Sequence, residues 1–114
     1  MKATYDDISR DCSRSILTKY STSFSLGTRI FPGEVRSAIT SIYGFVRLAD
    51  EIVDTFHGYP QAELMEEFKE DTWLAISRKI STNPVLNAFQ EVVHRYQIRE
   101  EHISSFLLLS LIHI

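Results

Sequence analysis

Between about Gly33 and Phe56 the chain spells out a helix that is apolar or small on nearly every side, through Ala38, Ile39, Ile42, Phe45, Val46, Leu48, Ala49, Ile52 and Val53. A helix of that kind is normally buried all round. One line of residues breaks the pattern. Arg36, Thr40, Tyr43, Arg47, Asp50 and Asp54 follow one another at steps of four, three, four, three and four, and such steps return to one helix face. Unpaired charge in an interior costs several kcal/mol. The expectation is therefore a buried helix that presents a polar ribbon to a wet, partnered cavity.

Asp50 and Asp54 lie one turn apart on that ribbon. Two carboxylates so placed repel each other unless a cation joins them. Their hard oxygens suit Mg²⁺, which keeps several waters and bridges carboxylates to substrate phosphates. Arg47, one turn before Asp50, could pair with it or offer a bidentate fork to phosphate oxygens. D-x-x-x-D alone also occurs on ordinary solvated helix faces. At this level a metal–diphosphate site and a helical interaction module with an exposed ribbon both stay open.

The rest of the chain reads as all-α. Asp6 or Asp7 could cap a first helix running to about Tyr20. The hydroxyl cluster Ser21-Thr22-Ser23 favours a cap or turn, and Phe31-Pro32-Gly33 breaks the chain before the ribbon helix. His57-Gly58-Tyr59-Pro60 stops that helix. A third helix is expected from about Gln61 to Ile80, with Leu64, Phe68, Trp73, Ile76 and Ile80 toward the core. Asn83-Pro84 opens a fourth, to about Gln97, with Val85, Leu86, Phe89, Val92, Val93 and Tyr96 inward. Glu100 begins a fifth. No stretch alternates as a strand would.

Several classes of function fall away. Lys and Arg are scattered among acids, for a net charge of −3, so no nucleic-acid patch is expected. Cys12 stands alone, which rules out an internal disulfide and fits a reducing cytoplasm. No charged-then-apolar leader pattern is seen at the start, so no signal peptide is expected. The apolar stretch from Ile103 is shorter than the roughly 20 residues a membrane span needs. His57, His94, His102 and His113 share no ligand spacing. Arg29 could reach a phosphate from its loop, but a solvated side chain is the simpler reading.

Tyr20-Ser21-Thr22-Ser23-Phe24 resembles the N-terminal signature of the squalene/phytoene synthases. Arg36-Ser37-Ala38-Ile39 and the run from Ile42 to Asp54 resemble their first aspartate-rich region, in which an arginine precedes D-D-x-x-D by three positions. The likeness extends from about Tyr5 to Phe106 and looks most like a bacterial phytoene synthase. It implies the N-terminal part of an isoprenoid-synthase helical bundle around a central cavity. It implies head-to-head condensation of two prenyl diphosphates, geranylgeranyl diphosphate in a phytoene synthase, through a cyclopropyl diphosphate and with Mg²⁺ or Mn²⁺. Squalene or dehydrosqualene synthases, acting on farnesyl diphosphate, are the alternative within the family. By that analogy Asp50 and Asp54 would hold metal, supported by Glu51, and Arg47 would hold diphosphate. Ser21 and Ser23 would offer hydroxyls to it, Tyr43 would line the cavity, and Phe24 would lie near the reacting chains. The greasy products leave room for loose association with a membrane surface in an otherwise cytoplasmic enzyme.

Three departures qualify the analogy. Glu51 stands where the motif usually has a second aspartate. Tyr20 stands where some relatives carry a histidine or basic residue. The family's second aspartate-rich motif falls beyond residue 114. The last six residues, Leu109-Ser110-Leu111-Ile112-His113-Ile114, resemble the translation of a transposon-end adapter. The expected organisation is thus a truncated synthase domain over residues 1–108 and a non-native tail over 109–114, with the truncated piece itself inactive.

Overall fold

The computed structural model describes residues 1–112, and the regular elements among them are all helical. In chain order they are α1 (Lys2–Tyr20), α2 (Thr22–Gly27), a 3₁₀ turn (Thr28–Ile30), α3 (Gly33–Asp54), α4 (Gln61–Arg78), α5 (Pro84–Tyr96) and α6 (Glu100–Ile112). The all-α expectation holds, and the ribbon helix is α3.

The ends of these helices follow from local chemistry. Asn83 caps α5 as expected, its Oδ1 accepting from the backbone N–H groups of Val85 and Leu86, with Pro84 just inside the start. Neither Asp6 nor Asp7 caps α1, which begins earlier, at Lys2. The Asp6 carboxylate accepts instead from Lys2 Nζ and from Asn87 on α5. α3 stops two residues short of Phe56 because Gln61 Nε2 donates to the carbonyls of Ile52 and Val53 at 2.9 Å each, taking up acceptors that a longer helix would use. Gly58, at φ 87°, then turns the chain through a conformation that favours glycine. The α2–3₁₀ segment had no counterpart in the expected elements.

α3 runs through the middle of the molecule and packs on α1, α4, α5 and α6. At its centre Phe45 stacks on Phe89 of α5 at 3.8 Å between ring centroids, on Phe68 of α4 at 5.4 Å, and lies 5.6 Å from Phe106 of α6. Ala49, Ile52, Met65, Leu86, Val93, Ile103 and Leu107 close the core around it. On the α1 side Gly44 meets Ser13 so closely that a Cβ at Gly44 would stand 2.5 Å from Ser13 Oγ.

Two expectations need correction here. α3 is not enclosed on every side: Arg36 and Asp54, at the two ends of the ribbon, are exposed, and Arg47 and Asp50 are half-buried. Neighbouring helices cover its apolar faces but leave the ends of the polar one open. The inward stripe of α4 runs through Met65, Phe68, Thr72 and Ala75, with Leu64, Trp73 and Ile76 at its margins and Ile80 exposed beyond the helix end. α5 buries its expected residues except Tyr96. Leu109 to Ile112 continue α6, with Leu111 against the core; His113 and Ile114 lie outside the described residues.

Candidate functional site

The α1–α2 junction carries one wall of the site. Ser21 leaves α1 in an extended conformation, φ −151°, and its Oγ accepts from Phe24 N–H at 3.2 Å, so it caps the next helix. This turn folds the chain back across α3. Tyr20 arrives beneath the Arg47 guanidinium, 4.6 Å from Cζ to ring centroid, and Phe24 stacks on Tyr43 at 5.6 Å. A cation held over an aromatic face gains about 0.5–2 kcal/mol, more as water is excluded.

Arg47 donates through Nε to Glu51 Oε1 at 3.0 Å and through Nη2 to the same oxygen. The hydroxyls of Thr55 and Tyr20 also favour the ionised form of Glu51. The Arg47 bond, foremost, holds the Glu51 carboxyl below the usual carboxylate range, and reciprocally Glu51 raises the Arg47 guanidinium. Asp50 behaves oppositely. Burial pushes its carboxyl up; Asp54 and Glu51 add to the rise, and Arg47 opposes it.

The predicted site residues therefore fall into groups. Arg47, Glu51, Tyr43 and Phe24 are drawn together with Tyr20. Asp50 shares the half-buried face of α3 with them, Asp54 lies exposed at its end, Ser21 is engaged as a cap, and Ser23 is exposed. Among the described residues no group of three or more Asp, Glu, His or Cys side chains is arranged to hold a metal ion. Asp50 and Asp54 are a pair of hard oxygen donors without a third. Such a pair fits a largely hydrated Mg²⁺ shared with phosphate oxygens, and does not fit a cage made by protein alone.

Tyr20 is the residue that reading the sequence missed. In the sequence it stands out only as a departure from the serine signature, yet its ring lies under the Arg47 guanidinium. Its position directly before the capping serine was the available signal. Among the described residues no helix is long and apolar enough to cross a membrane.

The squalene/phytoene synthase family profile matches residues 17–107. A curated relative, the bifunctional lycopene cyclase/phytoene synthase of Colletotrichum graminicola, is 47% identical over 38 residues, which cover 33% of this chain and 6% of that protein. No solved structure matches significantly. The profile takes in the end of α1, the Ser21–Phe24 turn, the whole ribbon and the helices that pack on it. The chain belongs to the squalene/phytoene synthase family.

Proposed function

We propose that the chain is the N-terminal part of a phytoene-synthase-type prenyltransferase, joining two geranylgeranyl diphosphates head to head through a cyclopropyl diphosphate. The observation that carries this reading is the convergence of the serine-motif turn on the ribbon, with Arg47 held between Tyr20 and Glu51 beside the Phe24–Tyr43 pair. The name of the fungal relative favours phytoene over squalene as product.

In this reading Asp50 and Asp54 would hold Mg²⁺ or Mn²⁺, which as a Lewis acid offsets charge on the departing diphosphate. Arg47 binds the diphosphate with its planar fork, exchanging one oxygen of Glu51 for phosphoryl oxygens. Glu51 keeps the guanidinium aimed along α3, and the outer hydroxyls of Ser21 and Ser23 donate to the same group. Phe24 and Tyr43 exclude water from the allylic cation and present aromatic faces to it. The remaining metal ligands come from outside residues 1–114, so this stretch alone is inactive. Prenyl products would draw the complete enzyme to a membrane surface from the cytoplasm.

The test is turnover of geranylgeranyl diphosphate to phytoene by the complete enzyme with Mg²⁺. Replacing Asp50 and Asp54 together by alanine is expected to cost about a hundredfold or more, the scale of losing several kcal/mol of charge stabilisation. Full turnover in that double variant sinks the reading. Preference for farnesyl diphosphate would move the enzyme to the squalene or dehydrosqualene branch.

A further inference from the structure

The ribbon does not serve a single space. Arg36 and Thr40, in its first half, line a separate cleft of about 700 Å³ bounded by α1, the α2–3₁₀ segment and the start of α3. Tyr43, Arg47, Asp50 and Asp54 are not part of its lining. A volume of that order is typical of small-molecule sites, roughly 300–1,000 Å³.

The charge in the cleft is lopsided. Arg10, Arg14, Arg29 and Arg36 line it against only Asp7 and Asp11. Both acids are already engaged, Asp7 by Arg10 and Asp11 by Arg14. Arg10 also donates to both oxygens of Glu91 on α5, at 2.8 and 2.9 Å. Arg29 and Arg36 remain. Among the described residues neither guanidinium makes a hydrogen bond or ion pair. Two guanidiniums without an ion partner on the wall of one concavity leave it with a surplus of positive charge.

The remaining lining suits an anion with several oxygens. Thr28 and Thr40 donate their hydroxyls to the backbone, to the carbonyls of Ser25 and Arg36 at 2.7 and 2.8 Å. The hydroxyls of Ser25 and Ser37, also in the lining, are free to donate. Gly33, the first residue of α3, lines the cleft too. Its N-cap is Pro32, which supplies no side-chain acceptor, so the positive end of a 22-residue helix is left open there. A Cβ on Gly33 would meet nothing within 4 Å, so the approach to that helix end is clear.

We propose that this cleft is a second anion site, for a phosphate-bearing group clamped by Arg29 and Arg36 and backed by Ser25, Ser37 and the N-terminus of α3. Arginine forks match phosphoryl oxygens bidentately. The site needs no divalent cation, which separates it from the Asp50–Asp54 end of the ribbon. The group can be a free phosphate or diphosphate or the headgroup of an acidic phospholipid.

The experiment titrates inorganic diphosphate, then inorganic phosphate, into the 114-residue chain with EDTA present. Binding is read by calorimetry and by ¹⁵N shifts at Gly33, Ser37 and the arginine Nε groups. A parallel arm floats the chain with phosphatidylcholine vesicles, with and without phosphatidic acid. Saturable binding in solution is expected, tighter for diphosphate, with Arg29→Gln and Arg36→Gln each weakening it about tenfold, the scale of one charged hydrogen bond. Capture by the phosphatidic acid vesicles alone, lost in the same variants, supports the site with lipid as its source. Binding in neither arm, or binding that survives the double variant, overturns the proposal. Both side chains are exposed, so the variants should keep their circular dichroism, and Arg36→Lys, which keeps charge but loses the fork, should restore part of the affinity. Because EDTA removes divalent cations, failure here leaves the metal-dependent reading untouched.

Discussion

Asp50 and Glu51 are adjacent in sequence, but their carboxyls respond to folding in opposite directions. Glu51 gains the Arg47 guanidinium, which lowers its pKa, so it stabilises the fold above its unfolded pKa and loses that contribution as pH falls through its lowered folded value. Asp50 is pushed up by burial first. Its ionised form is therefore a cost to the fold, one that appears as pH rises past the unfolded value and is complete above the raised folded one. Asp50→Asn is expected to stabilise the metal-free chain at pH 7, by up to about 0.5 kcal/mol as suits a half-buried site. The gain should vanish near pH 3, where both side chains are neutral; thermal melts across that range measure it. A gain that persists in acid would show that charge is not the cause. The sequence identified both residues through the acidic motif. It could not distinguish them, because the Arg47 rotamer and the arrival of Tyr20 decide which carboxylate is paired. Asn87 shows the same limit from the other side. Its amide donates to Asp6 and to Ser9 Oγ on α1, while its oxygen accepts from Ser81 N–H and Gln90. Its partners on α1 lie 78 and 81 residues away, and helical periodicity assigns an amide to the outer face. Asn87→Ala orphans several groups at a fully buried position and should cost about 2–3 kcal/mol in denaturant melts.

Element by element, the long helices were legible because apolar spacing, a proline at α5's start and glycine-bearing breaks all agree on their limits. α2 was not. Six residues are too few to form a helix on propensity alone; the Ser21 cap and packing on α1 and the 3₁₀ turn hold it. The α1–α3 contact was equally hidden, because small residues leave no hydrophobic stripe. Ser13 is fully buried there, and its hydroxyl has no partner among the described residues. Gly44→Ala would put a methyl 2.5 Å from Ser13 Oγ, 2.8 Å from its Cβ and 3.2 Å from its Cα. Backbone cannot retreat as a flexible side chain can, so the two helices must part, at about 1–3 kcal/mol. Ser13→Gly combined with Gly44→Ala should recover much of that loss. Ser13→Ala alone should be neutral or slightly stabilising, since it removes an unpaired buried hydroxyl. Urea midpoints for the wild type, Ser13→Gly, Gly44→Ala and the variant carrying both form a complete double-mutant cycle. A cycle without interaction energy would mean that the two helices do not meet through these residues.

At the scale of the whole molecule, α3 does two jobs on opposite sides. One side holds the ribbon; the other presents Phe45 to α4, α5 and α6 together. Each of those helices buries only part of its surface, and α6 is apolar well beyond its buried residues, with Leu108 and Ile112 more than half exposed. A core that rests on one shared aromatic cluster should be lost cooperatively when its centre is removed. Phe45→Ala deletes the ring that three other rings contact and leaves a cavity between four helices, an expected loss of about 3–5 kcal/mol. For a domain of this size that is a large part of the total stability, which runs about 0.05–0.15 kcal/mol per residue. Hydrogen exchange distinguishes the outcomes. If the cluster is the common support, protection falls together in α3, α4, α5 and α6, and Arg47 loses its place over Tyr20 at the same time. If protection falls only in α5, whose Phe89 lies nearest, the helices are held separately and the site would survive damage to the core. The first pattern is expected, because Ala49 and Ile52, one and two turns beyond Phe45 toward the carboxylates, belong to the same buried cluster. The residues that present Asp50 to a ligand thus stand on the same packing that holds the bundle together.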